Sequence, residues 1–218
     1  MIKQFVFNHF QTNSYVVWDE KSKECALVDP CAEAGYEDEW LTQFVEGNGL
    51  KPVLVLLTHA HIDHIAGLRY VCERYHLPVT MHADGMKLLK QAEAYGTVMG
   101  FSVEAMDDLP CSYIEDNAVL EMGVGRPEEL CRIECRFVPG HCPGSMAYVL
   151  HEEKMVLTGD ALFRGSIGRT DLPGGDYRLL MESLHNRIMT LPDDYEVLPG
   201  HGELSTIGEE RLYNGFLV

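Results

Sequence analysis

The sequence lacks any apolar run that approaches the ~20 residues needed to span a membrane. Its amino terminus also lacks the long apolar core of a secretory signal peptide. Its seven cysteines are odd in number and irregularly spaced, which argues against a disulfide framework and agrees with a reducing compartment. We therefore expect a cytoplasmic protein that does not enter a membrane.

Basic residues are scarce as well. The chain has 17 Lys and Arg against 34 Asp and Glu, which gives a formal net charge of −17. A field of this sign repels phosphate backbones, so the expected partner is a small molecule and not a nucleic acid. The length of 218 residues and the 46% hydrophobic content suit one large α/β domain over residues 1–218.

Short strands and helices alternate along this chain. Three strands are predicted within residues 2–29, and a helix follows over about residues 36–46. The unbroken apolar run over residues 53–57 is typical of a central strand that is covered on both faces. Near the carboxyl terminus, Asp176 is placed to cap a helix with apolar residues on one face.

Two segments have a less specific pattern. Residues 84–117 show no clear period after a short helical stretch, so we interpret them either as a lid over a site or as a surface connection. Cys131 and Cys135 could be read as a zinc pair. They are four residues apart on a predicted strand, about 13 Å, which is too far to share one metal and favours core packing.

Potential metal ligands follow four apolar runs. The residues at the ends of these runs are His59, His141, Asp160 and His201. The first run continues as His59-Ala60-His61-Ile62-Asp63-His64. Scattered surface or capping histidines are the alternative interpretation, but histidines and carboxylates at the ends of several buried strands predict a two-metal hydrolytic centre.

The spacing within the first motif separates the two metals. His59 and His61 are two residues apart on extended chain, so they project to the same side and can share one ion. Apolar residues at helical spacing after His64 predict that Asp63 and His64 begin a helix and face another direction. The motif therefore supplies ligands for two different positions.

With these motifs the chain resembles the metallo-β-lactamase superfamily along essentially its whole length. The resemblance implies a four-layer αββα sandwich of two mixed β-sheets flanked by helices. It implies His59, His61 and His141 on a first metal and Asp63, His64 and His201 on a second, with Asp160 as the bridge. It also implies that Asp29, at the end of an early strand, supports the ligand histidines and fixes their tautomers; the alternative for Asp29 is a turn-forming Asp-Pro.

The stretch from Gly159 to Asp176 resembles the glyoxalase II-like branch of the superfamily, in particular small bacterial hydrolases. Arg169 is placed to pair with Asp171 beside the bridging aspartate, or else to bind a substrate carboxylate. Hydroxyacylglutathione hydrolases have a helical extension that helps to bind glutathione, whereas this sequence has 17 residues after His201. The resemblance therefore leaves glutathione specificity open.

The expected activity is hydrolysis of a thioester such as an acyl-glutathione. Hydroxide held between two divalent ions would attack the carbonyl, with Asp63 and Asp160 as the catalytic carboxylates. Zinc is the first expectation, while iron and manganese accept the same ligands. A persulfide dioxygenase with one iron on His59, His141 and Asp160, another hydrolase such as a lactonase, and a non-catalytic metal-binding protein are the alternatives. The sequence does not assign the oligomeric state or a role for Cys142, which could be a thiol of the site wall.

Overall fold

A computed structural model describes residues 1–123 and 130–218 of the chain. No helix in these two ranges is long and apolar enough to cross a membrane. The strands run in chain order as β1 Ile2–Phe7, β2 Thr12–Trp18, β3 Glu24–Val28, β4 Lys51–Leu56, β5 Val79–Met81, β6 Cys111–Tyr113, β7 Val119–Met122, β8 Cys131–Phe137, β9 Met146–Leu150, β10 Met155–Gly159, β11 Leu162–Phe163, β12 Ser166–Ile167, β13 Glu196–Pro199 and β14 Ser205–Thr206. The α-helices are α1 Tyr36–Gly47, α2 Leu68–Tyr75, α3 Met86–Leu89, α4 Ala92–Met99, α5 Tyr177–Ser183 and α6 Ile207–Tyr213.

The strands form two mixed sheets of six strands each. The first sheet has the order β1-β2-β3-β4-β5-β6, with antiparallel pairs up to β3 and parallel pairs from β3 to β6. The second has the order β14-β13-β10-β9-β8-β7, with one parallel pair between β10 and β13. Strands β11 and β12 form a separate small hairpin.

Three layers of buried apolar side chains show how the sheets and helices stack. One layer, with Leu27 and Leu68, lies between the first sheet and helices α1 and α2. The middle layer joins the two sheets, as Val28 and Tyr148 illustrate. The third lies between the second sheet and α5, with Leu180 at its centre. The predicted αββα sandwich is therefore confirmed.

One predicted helix boundary is wrong. Asp63 and His64 do not begin the helix but lie in a separate 3₁₀ turn over Ile62–His64, and α2 begins only at Leu68. The N–H of Gly67 donates to the carbonyl of Pro30, and a Cβ at Gly67 would lie 2.6 Å from the carbonyl oxygen of Ala32. This close crossing of two chain segments interrupts the helix that the periodicity indicates.

The helix after Asp176 departs from the prediction in one detail. The Asp176 side chain accepts a hydrogen bond from the N–H of Leu179, as the capping pattern predicts. The helix then widens into a π-helical turn over Leu184–Ile188, which still buries Leu184 and Ile188 in the third apolar layer. The wider turn keeps the apolar face on the sheet.

Residues 131–137 form β8, and Cys131 and Cys135 are both buried in the layer between the sheets. The prediction of core packing is confirmed, and both thiols are free. Residues 84–117, which the sequence left between a lid and a surface connection, contain α3, α4 and β6.

Tyr148 connects the two sheets close to the ligand motif. Its side chain is fully buried in β9, and its hydroxyl donates to the carbonyl of Leu57, two residues before His59, at 2.6 Å. We expect Tyr148→Phe to lower the free energy of unfolding by about 1–2 kcal/mol, because it removes a buried hydrogen bond between the sheets. Urea denaturation measures this change. The matched control is Tyr113→Phe at a half-exposed position, and an equal loss in both variants would contradict the prediction.

Candidate metal centre

The seven ligand candidates meet at the carboxyl ends of strands from both sheets. His59 and His61 follow β4, and the 3₁₀ turn after them carries Asp63 and His64. The other three follow β8, β10 and β13 and are His141, Asp160 and His201. His59 and His201, which are 142 positions apart in the sequence, thus come together because strands of both sheets end at the same edge of the sandwich.

The first cluster consists of His59, His61 and His141, and Cys142 lies beside it. The possible ligand atoms of this group lie within 4.8 Å of one another. Nδ1 of His61 and Nε2 of His141 are 2.9 Å apart. The other ring nitrogen of His141, Nδ1, lies 2.8 Å from the carbonyl oxygen of Arg169 and donates to it. His141 therefore presents the lone pair of Nε2 to the cluster.

Asp29 controls the orientation of two further imidazoles. Its buried carboxylate accepts hydrogen bonds from the N–H of Thr58 at 2.7 Å, from the hydroxyl of Thr58 at 2.6 Å and from Nδ1 of His64 at 2.9 Å. Since the Thr58 hydroxyl gives its proton to Asp29, its oxygen can only accept from Nδ1 of His59, which lies 3.1 Å away. Both His59 and His64 thus turn Nε2 toward the centre, and in the neutral form of each ring this nitrogen has no proton.

The second cluster consists of Asp63, His64 and His201. Nε2 of His201 lies 3.1 Å from Oδ2 of Asp63, and Nε2 of His64 lies 3.6 Å from the same oxygen. The hydroxyl of Thr12 donates to that oxygen at 3.2 Å. The carboxylate of Asp63 is therefore shared between two imidazoles and one hydroxyl.

Asp160 lies between the two clusters. Its Oδ1 is 3.2 Å from Nε2 of His64, while its Oδ2 is 3.7 Å from Nε2 of His141 and 3.6 Å from Nε2 of His201. A Cβ at Gly200 would lie 2.1 Å from Oδ1 of Asp160, so only glycine fits before His201. The glycine between Pro199 and His201 thus has a steric reason, since the loop passes directly over the shared carboxylate.

The pKa shifts match the requirements of cation binding. Burial, followed by the neighbouring imidazoles, lowers the pKa of His59 well below its ordinary value, and burial with His141 lowers that of His61 to about 4. Burial opposes ionisation of Asp63 and Asp160, but His64 and the other nearby imidazoles outweigh it and lower both pKa values. At neutral pH His59 and His61 therefore offer unprotonated nitrogens beside ionised carboxylates. Although burial opposes it, the nearby carboxylates raise the pKa values of His64 and His201, so these two rings favour positive charge.

Three buried ligand atoms have no hydrogen-bond partner within the described ranges. They are Nε2 of His59, Nε2 of His64 and Oδ1 of Asp160. Buried polar atoms without hydrogen-bond partners are rare in folded proteins, and three such atoms among the ligand candidates indicate a cation site. Imidazole nitrogens and carboxylate oxygens are the donors that divalent zinc, iron and manganese accept. The residues present therefore fit divalent metal ions.

Several residues of the site were missed by the sequence analysis. Thr12 contacts Asp63 through its side chain and pairs with His201 in an isolated β-bridge. The side chain of Asn13 donates to the carbonyls of Pro199 at 2.9 Å and Gly202 at 3.1 Å, on both sides of His201. Polar residues at the start of a strand are common, so their types alone contain no signal of this role.

The remaining candidates lie around the centre. Arg169 and Asp171 form the predicted ion pair through two hydrogen bonds of 2.8 Å, and both side chains are exposed. Cys142 is buried beside the first cluster, and burial raises the pKa of its thiol to about 12. A cavity of about 230 Å³ opens onto the cluster and has His61, Asp63, His141, Asp160 and His201 on its floor.

The chain is similar in sequence to three named proteins. The probable metallo-hydrolase YqgX of Bacillus subtilis is 36% identical and covers 95% of this chain and 92% of its own length. The hydroxyacylglutathione hydrolase GloC of Haemophilus influenzae is 33% identical, with 95% and 93% covered. The mitochondrial persulfide dioxygenase ETHE1 of Homo sapiens is also 33% identical, with 93% of this chain and 70% of that protein covered.

Solved structures show the same architecture. BLEG-1, described as a B3 metallo-beta-lactamase, superposes with a TM-score of 0.85 at 34% identity and covers 100% of both chains. TTHA1623 in a di-iron-bound form also has a TM-score of 0.85, at 33% identity, with 99% and 100% covered. The family model of the metallo-beta-lactamase superfamily matches residues 8–201, a range that includes all seven ligand candidates. The chain belongs to the metallo-beta-lactamase superfamily.

Proposed function

We propose that the protein is a metal-dependent hydrolase that cleaves a thioester, such as an acyl-glutathione, at a centre of two divalent ions. His59, His61 and His141 would hold the first ion, and Asp63, His64 and His201 the second, with Asp160 between them. The observation that carries the proposal is that two ligand clusters share one carboxylate on the floor of a cavity. Zinc is the metal we propose first.

Two bound divalent ions would supply a water with a pKa near ~7 and a positive field for the developing oxyanion. Asp160 and Asp63 both face the cavity and stay ionised, so they can hold that water by accepting hydrogen bonds from it. The imidazoles of His59 and His64 keep their orientation through Asp29 during turnover. The protein thereby activates water without a covalent intermediate.

A thioester suits this centre because a thiolate is a good leaving group. A thiol has a pKa near ~8.5, so it departs without strong general-acid assistance. The relative named hydroxyacylglutathione hydrolase supports the same substrate class. Its name belongs to that protein, and for this chain the thioester remains our proposal.

The cysteines do not provide a nucleophile in this mechanism. Cys142 is the thiol beside the metal clusters, and burial raises its pKa to about 12, which keeps it protonated at neutral pH. All seven cysteines are free. This supports a reducing compartment, and we propose the cytoplasm.

A persulfide dioxygenase is the second candidate function. It is favoured by the 33% identity to ETHE1, which equals the identity to GloC. In this alternative one iron would be held by His59, His141 and Asp160. Oxygen uptake with glutathione persulfide distinguishes the two functions, because thioester hydrolysis consumes no oxygen.

The first prediction about the metal centre concerns the shared carboxylate. Asp160→Ala is expected to lower kcat/KM for a thioester by at least about a hundredfold, because it removes a carboxylate that lies within 3.7 Å of imidazoles of both clusters. Thiol release measures the activity, and circular dichroism checks the fold. A variant with full activity would refute the assigned centre.

The second prediction concerns Asp29. In Asp29→Asn the amide would place an N–H against the donors of Thr58 or His64, so the imidazoles lose their fixed tautomers. We expect metal affinity to fall about 10- to 100-fold, as measured by competition with a chromophoric chelator. Asp38→Asn, which changes a buried carboxylate on α1, is the control. Unchanged affinity in Asp29→Asn would contradict the assigned support.

The third prediction concerns Thr12 and separates the two metal positions. Thr12→Val keeps the side-chain shape but removes the hydroxyl that donates to Asp63. We expect about tenfold weaker binding of one ion per chain, with the other unchanged. Elemental analysis after stepwise dialysis measures both occupancies. Thr42→Val removes a similarly buried hydroxyl that pairs with Tyr70 and should leave both occupancies intact.

A further inference from the structure

The cavity above the metal centre has two chemically different halves. The floor consists of the ligand side chains described above. Apart from Arg169, the walls are formed by apolar and aromatic residues: Phe10, Ala60, Ile62, Leu88, Ala92, Tyr95, Met99, Leu172 and Pro173. Such a wall gains free energy only when a substrate covers it with apolar surface.

Helix α4 provides the largest continuous part of this wall. Ala92, Tyr95 and Met99 are three and four residues apart, so they lie on one face of the helix and line the cavity together. Ala92 is buried, whereas Tyr95 is 44% exposed and Met99 41% exposed, so the carboxyl-terminal part of this face is not covered by the rest of the described chain. A partly uncovered apolar helix face beside a hydrolytic centre is suited to a ligand.

Contacts on its other sides hold α4 in this position. A Cβ at Gly96 would lie 2.5 Å from the side chain of Val103 and 3.5 Å from that of Ile62, so glycine permits the close approach to the ligand loop. The ring of His9 lies 3.2 Å from the carbonyl oxygen of Met99. The wall is therefore joined both to the metal-ligand loop and to the amino-terminal turn.

The cavity offers little to a charged substituent. Among the described residues that line the cavity, Arg169 is the only lysine or arginine. Its guanidinium group already donates hydrogen bonds to both carboxylate oxygens of Asp171. The formal net charge of the chain is −17. The two carboxylates of a glutathione moiety thus find no uncompensated lysine or arginine among the described residues of these walls.

From these observations we infer that the substrate is a thioester with an extended apolar substituent, and that the face of α4 formed by Ala92, Tyr95 and Met99 selects it. The inference rests on the proposed hydrolase function and specifies its substrate class. The apolar group can belong to the acyl part or to the thiol part, since both flank the same carbonyl. Charged peptide portions remain outside the cavity.

The experiment measures kcat/KM of the metal-loaded enzyme for two series of thioesters. One series varies the acyl group on glutathione from acetyl and lactoyl to octanoyl, and the other varies the thiol of an acetyl ester from glutathione to hexanethiol. We expect a rise of about threefold per buried methylene in at least one series. A flat dependence in both, with hydrolysis retained, would overturn the inference and leave the hydrolase function in place.

Two adjacent positions on α4 provide matched variants. Met99→Glu places a charge on the cavity wall, whereas Val98→Glu adds the same charge at a residue that is 81% exposed and outside the cavity lining. Met99→Glu should lower the ratio of kcat/KM for the preferred long-chain substrate to kcat/KM for the acetyl ester by at least about tenfold. Val98→Glu should retain the preference. An equal loss in Met99→Glu and Val98→Glu would contradict the role of this face.

A binding measurement tests the preference of the cavity for an apolar substituent independently of the proposed hydrolase function. Calorimetric titration with octanamide, a neutral compound that is not a thioester, should show binding to the wild type and to Val98→Glu but much weaker binding to Met99→Glu. If no thioester is hydrolysed, the proposed function fails while this titration still decides the preference of the cavity. Absence of octanamide binding to the wild type would overturn the inference.

Discussion

The metal centre depends on hydrogen bonds between the two sheets, at the edge where the strands that precede the ligand residues end. The hydroxyl of Tyr148 donates to the carbonyl of Leu57 across the sandwich, and the N–H of Met146 donates to the carbonyl of Thr58 at 2.7 Å. On the other side, the hydroxyl of Tyr15 donates to the carbonyl of Pro199 at 2.7 Å. Each bond links a strand of one sheet to a ligand loop at the end of the other. These bonds hold strand ends that precede ligands of both clusters in one fixed arrangement.

The charges around the metal centre favour the binding of cations. Burial keeps the imidazoles of His59 and His61 neutral, while Asp160, Asp63 and Asp29 surround His64. Although burial lowers the pKa of His64, these carboxylates raise it overall, because positive charge is favoured at this point. A bound divalent ion would meet the same preference. The negative potential of the centre thus favours the binding of a cation.

Relatives with the same overall fold bear the names of a hydroxyacylglutathione hydrolase and a persulfide dioxygenase. A shared fold does not decide between such reactions, because chemistry depends on the metal and on the walls around it. In this protein α4 and the amino-terminal turn with Phe10 form the wall opposite the ligands. Specificity is therefore best sought in these elements and less in the ligand residues.

The sequence by itself was sufficient to predict the superfamily, the sandwich and the seven residues that meet at the centre, because each ligand follows a recognisable apolar strand within a short motif. Asp29 was also accessible, since it stands at the end of a predicted strand. Only the tertiary structure showed that Thr12 and Asn13 hold the loops of Asp63 and His201. The contact of Thr12 with Asp63 spans 51 positions of the sequence, and that of Asn13 with Pro199 spans 186. It also corrected the helix start at Asp63, which periodicity placed wrongly because the bond from Gly67 to Pro30 connects distant segments. Local pattern determines which residues have the chemistry, whereas packing between the sheets decides what positions them and what shape the cavity presents.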